Sequence, residues 1–112
     1  MVKNNEDTLK ITTQMRKGIL EYTILSIIGK GESYASDILE KLKINELLVV
    51  EGTLYPLLTR LKDDGLISYY WVESSSGPPR KYYRLTEYGS ETLIIMKHVW
   101  ENLAKAVKNI TL

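Results

Sequence analysis

Cysteine and phenylalanine are both missing from this 112-residue chain, and it has three prolines and one histidine. Without cysteine there is no disulfide framework, no thiolate zinc or iron–sulfur site and no thiol-based redox sensing, which fits a reducing cytoplasm. A lone histidine, His98, with no thiol to join it makes a metal site improbable; it is expected at a surface or interface. No apolar run approaches the roughly 18 residues of a membrane span, and the polar start, Met1 to Asp7, holds no signal-peptide core. The expectation is therefore a cytoplasmic protein with no membrane partner. Excess charge is lacking too. A net charge of +1 gives no global case for a nucleic-acid partner, so any such case must rest on a local basic patch. Enzyme chemistry also finds no purchase: there is no nucleophile beside a base, no glycine-rich phosphate loop and no recognisable carboxylate pair. No cofactor and no metal are expected.

What is present is 44% apolar side chains, enough for one core that buries roughly two-thirds of the unfolded surface. Residues 1–7 are polar and aperiodic and read as a flexible arm. From Thr8 the pattern turns helical, with Leu20, Ile24, Ile27 and Ile28 on one stripe and Gly29-Lys30-Gly31 as a stop. Ser33 is expected to cap a second helix carrying Ile38, Leu39 and Leu42, and Leu47 to Val50 reads as a short strand.

Then Leu54, Leu57, Leu58 and Leu61 recur at helical spacing, and Gly65 stops that helix. Ile67–Val72 and Lys81–Leu85 are strand-like, rich in aromatic and β-branched residues, and the Glu73–Arg80 segment between them reads as a proline-stiffened loop. Thr86 is placed to cap a last helix running to about Asn109. The order helix, helix, strand, helix, strand, strand, helix defines an α+β, mainly α fold: a winged helix-turn-helix over residues 8–86, with an added C-terminal dimerisation helix over 87–112.

If the leucine stripe of the third helix faces the core, Gly52, Pro56, Thr59 and Asp63 face away, flanked by Thr53, Tyr55 and Arg60. That face is small, hydroxylic and basic, as a recognition helix entering the major groove requires. Pro56, tolerated where backbone donors are free, is expected near the helix start. Arg80 and Lys81 on the wing supply the local positive charge for phosphate or a minor groove. Ser33, Tyr34 and Ser36, at the start of the second helix, are candidates for backbone contacts. Trp71 is expected to be structural, covering the sheet.

The stretches Gly52-Thr53-Leu54-Tyr55-Pro56-Leu57-Leu58, Arg60-Leu61, Gly65-Leu66-Ile67 and Arg80-Lys81-Tyr82-Tyr83-Arg84-Leu85-Thr86 resemble the PadR family of bacterial transcriptional regulators. The likeness covers nearly the whole chain and is to the family's shorter branch, with a single C-terminal helix, which includes a lactococcal multidrug-resistance regulator. It implies a dimeric repressor on twofold operators in double-stranded DNA. Two departures stand out: Val50 replaces a frequent serine before the recognition helix, and Pro78-Pro79 replace a more basic wing tip.

In the last helix Leu93, Met96, Trp100, Leu103, Val107 and Ile110 are spaced 3, 4, 3, 4, 3, a seam that wants a partner and points to a homodimer. The resemblance makes Trp100 either a platform for a small hydrophobic or cationic aromatic ligand, or simply a packed interface residue. Met96 and Met15 would wall the ligand site, with Tyr22 and Glu21 joining at its edge. The competing reading is a winged-helix protein-interaction module without DNA binding, which the cations of the wing disfavour.

Overall fold

Local sequence sets where the helices stop. In the computed structural model, which describes residues 5–47 and 49–112, the elements are α1 (Asn5–Arg16), α2 (Leu20–Lys30), α3 (Ala35–Ile44), α4 (Glu51–Asp63), β1 (Ile67–Ser74), β2 (Gly77–Leu85) and α5 (Glu87–Thr111). The helix expected to run from Thr8 is two helices, broken at Lys17-Gly18-Ile19, where Ile19 N donates to Arg16 O at 2.9 Å. Helix α1 begins at Asn5, so Asn5 to Asp7, expected to be flexible arm, form its first turn, and residues 1–4 lie outside the described residues. It buries none of its side chains.

Helices α3 and α4 end alike. At α4, Gly65 N donates to Lys62 O at 2.9 Å and Leu66 N to Leu61 O at 3.0 Å, with Gly65 at φ 79°: the left-handed exit that glycine supplies without a Cβ penalty. At α3, Glu46 N donates to Lys43 O and Leu47 N to Leu42 O, and Glu46 takes the left-handed place at φ 61°. The expected strand at Leu47 to Val50 does not form: the described residues there carry no regular structure, Val49 is buried, and Leu48 lies outside the described residues. Beside the wing it is Ser33 that exchanges backbone hydrogen bonds with Tyr83 (3.2 and 2.8 Å). Ser33 is therefore no cap. Tyr34 stands before α3, its backbone N donating to Asp37 Oδ2 at 3.0 Å.

The core lies between α2, α3, α4 and the base of the wing. Ile24, Leu25, Ile38, Leu42, Leu54, Leu58, Leu61 and Ile67 are fully buried, each stabilising by roughly 1.5–3 kcal/mol relative to exposure. Strands β1 and β2 pair antiparallel, Ile67 opposite Leu85 through Val72 opposite Arg80, then Ser74 opposite Gly77. Pro78 and Pro79 thus oppose Glu73 alone, a bulge that accommodates two residues with no N–H to give the ladder. The pairing extends further than the expected loop allows and leaves a tight turn at Ser75-Ser76.

Thr86 caps α5 as expected, Gly89 N donating to its Oγ1 at 2.9 Å. Close approach of α5 to the body depends on two glycines. A Cβ on Gly29 would sit 3.0 Å from a methyl of Leu93, and one on Gly89 would sit 1.9 Å from Leu66 O. Helix α5 runs on past that contact to Thr111, with Trp100, Leu103, Val107 and Ile110 exposed.

Candidate nucleic-acid interface

Helix α4 presents most of the face its leucine stripe predicts. Gly52, Pro56 and Thr59 are exposed, Thr53 is half-buried, and Tyr55 keeps 48% of its surface. Two details differ from expectation. Pro56 is the sixth helical residue rather than one near the start, because Val50 begins the helix by accepting from Thr53 N and Leu54 N (2.9 and 3.0 Å); Pro56 leaves the exposed Gly52 carbonyl without its i+4 donor. Arg60 is exposed beside this face, but its guanidinium already pairs with the Glu21 carboxylate of α2.

The wing carries its cations on two faces. Strand alternation places Arg80, Tyr82 and Arg84 on the outer face and Lys81, Tyr83 and Leu85 on the inner one. On the outer face Tyr34, Tyr82 and Tyr70 form a ladder, with centroids 3.8 and 5.6 Å apart. Arg80 lies 5.1 Å over Tyr34, and Arg84 5.1 Å over Tyr70. The Tyr70 hydroxyl donates to the Glu32 carboxylate, and that bond raises its pKa. The hydrogen bond shared with Tyr34, followed by desolvation, pushes the Tyr82 phenol up to about 12. On the inner face Lys81 Nζ sits 4.4 Å over Tyr69 and 5.3 Å over Trp71.

These faces meet at a cleft of about 470 Å³ lined by Tyr34, Ala35 and Ser36 of the α3 entry, Tyr55 of α4, and Trp71, Pro79, Arg80, Lys81 and Tyr83 of the wing. Tyr34, Ser36, Tyr55, Arg80 and Lys81, separated by up to 47 positions in sequence, are thereby brought to one place. Ser33 is not available there: it is 4% exposed and its hydroxyl donates to Gly31 O at 2.8 Å. Trp71, expected to cover the sheet, is instead 60% exposed at the cleft. The signal that could have found it is alternation: Ile67, Tyr69 and Trp71 share one face, and the face runs outward past the core.

The residues expected to hold a ligand fall around two adjoining clefts that share Trp100. One, of about 690 Å³ between α1 and α5, is lined by Met15, Ile19, Trp100, Leu103 and Val107 among others. The other, of about 200 Å³, is lined by Glu21, Tyr22, Met96, Val99 and Trp100 among others. Glu21, expected at the edge of the ligand site, already pairs with Arg60. Leu93 and Met96, expected at a dimer interface, are partly buried against this chain's own core. Among the described residues no helix is long and apolar enough to cross a membrane.

An α-helical recognition element set beside a two-stranded basic wing, with one long helix after it, defines a winged helix-turn-helix protein. Residues 24–94 match the transcriptional regulator PadR-like family, and the chain belongs to it. It resembles the PadR-like transcription factor of Bacteroides fragilis, with 55% identity over 90% of this chain and 98% of that one, TM-score 0.76. A PadR-like transcriptional regulator of Bacillus cereus is 41% identical over 87% and 95% of the two chains, TM-score 0.78. Bacillus subtilis PadR, solved in complex with operator DNA, is 29% identical over 73% of this chain and 46% of its own length, TM-score 0.63. Members of the family are transcriptional regulators and not enzymes.

Proposed function

We propose that this chain is a sequence-specific DNA-binding repressor that acts as a homodimer on a twofold-symmetric operator and is released by a hydrophobic or cationic aromatic compound beside Trp100. The observation that carries DNA binding is the shared cleft: the start of α3, Tyr55 of the α4 face and the two wing cations converge on it, although the chain as a whole is nearly neutral. Tyr55, Pro56 and Thr59 would approach base edges while Arg80 and Lys81 hold phosphate. The same fold in B. subtilis PadR is seen on operator DNA.

Dimerisation is supported by Trp100, Leu103, Val107 and Ile110, which a single chain leaves in water on one helix. A second copy supplies the other recognition helix that a twofold site needs. A ligand is supported by the two clefts sharing Trp100, whose indole face suits stacking and cations. The test is fluorescence anisotropy with a labelled duplex from the gene's own upstream region against a random duplex, between 50 and 200 mM salt, concentrations set by the counterion-release range. Preferential, steeply salt-dependent binding is expected. Equal binding to both duplexes would overturn the reading.

A further inference from the structure

We propose that Trp71 is itself a DNA-contacting residue, packing its indole against the sugars of the strand whose phosphate Lys81 holds; this rests on the DNA-binding reading above. Three observations carry it. Trp71 is largely in water: it is 60% exposed, and its aromatic neighbour, Tyr69, stands perpendicular to it with centroids 6.2 Å apart, so that ring does not stack on the indole. It is cross-strand partner to Lys81, whose Nζ sits 5.3 Å over the indole, so a phosphate bonded to that ammonium brings the adjoining deoxyribose to the ring. And it lines the same cleft as Tyr55 of α4, so the two aromatics flank the space between recognition helix and wing.

The chemistry separates the two neighbours. Deoxyribose carries no charge, so burying it against an indole adds affinity without releasing counterions, whereas a lysine on phosphate adds both affinity and salt dependence. Trp71 thus supplies a contact that persists at high salt, in a wing whose tip has prolines in place of further cations. The indole also sits where the strand has outrun the core, which explains an exposed tryptophan on a β-strand better than sheet packing does.

The experiment uses the full chain and the same labelled upstream duplex. Trp71→Ala is expected to weaken binding roughly tenfold at every salt concentration, with the slope of log affinity against log salt unchanged. Lys81→Ala is expected to lower that slope by about 0.9. Trp71→Phe, which keeps a ring, should recover most of the affinity but lose the DNA-induced change in tryptophan emission expected of the wild type. Thermal melts of each variant identify any loss that comes from unfolding, and the emission readout on Trp71→Phe stands where Trp71→Ala fails to fold. Wild-type affinity for Trp71→Ala, or an unchanged DNA-induced emission response in Trp71→Phe, would overturn the proposal. Absence of any salt-dependent preference in the wild type would instead sink the DNA-binding reading beneath it.

Discussion

Replacing Gly89 with alanine probes the joint on which the whole C-terminal helix is set. An ideal Cβ there lies 1.9 Å from Leu66 O, and that carbonyl cannot retreat freely because it accepts from Thr86 N at 3.1 Å, while the Thr86 hydroxyl ties down the preceding carbonyl by donating to Gly65 O at 2.6 Å. The helix must therefore move by about an ångström, at an overpacking cost of roughly 1–3 kcal/mol. The same movement pulls Gly89 N from Thr86 Oγ1, losing a cap worth about 1 kcal/mol. Against this, alanine is favoured over glycine inside a helix by about 1 kcal/mol. The net expectation is a destabilisation of roughly 1–3 kcal/mol. In a chain of this size each kcal/mol lowers Tm by about 4 °C. Thermal melting followed by circular dichroism measures it, with Gly52→Ala as the control: that Cβ meets nothing within 4 Å, so the substitution should be neutral or stabilising by up to about 1 kcal/mol. A Gly89→Ala protein that melts at or above the wild-type temperature would refute the close-approach argument.

Leu58→Ala removes a side chain that is 1% exposed and should cost about 2–5 kcal/mol in denaturant unfolding; a loss under 1 kcal/mol would mean that the α4 stripe is not core. Leu103→Lys places a charge on a residue that a single chain leaves 54% exposed, so it should spare the fold yet shift sedimentation toward monomer, and an unchanged dimer would remove the C-terminal half of α5 from the interface. The Tyr82 phenol, raised to about 12 in the folded chain from an ordinary value of 10.0, keeps its proton longer folded than unfolded. Folding stability should therefore be intact below pH 10 and fall as pH rises toward about 12. Tyr82→Phe should flatten that alkaline decline, and an equal decline in both proteins would contradict the assignment.

How much was legible in sequence follows the range of the interactions. The leucine stripe of α4, the Thr86 cap, the Gly65 stop and the hairpin depend on periodicities and turn residues within a few positions, so they could be read directly, and they carried the fold class and the family. The α4 face around Tyr55 and the cations Arg80 and Lys81 were legible for the same reason. Tertiary structure decided the rest. Ser33 looked like a cap because nothing local reveals that its backbone bridges to Tyr83, 50 positions away. Arg60 looked free for DNA until α2 brought Glu21 to it. Trp71 looked like sheet cover because alternation puts it on the face of Ile67 and Tyr69, and only the packing beneath shows that the core ends before it. The heptad on α5 read as one seam, but close approach at Gly29 and Gly89 packs Leu93 and Met96 partly against this chain's own core, while Trp100, Leu103, Val107 and Ile110 of the same seam stay exposed. Local chemistry chose the elements; which of their side chains face water is a property of their mutual packing, which no window of a few residues contains.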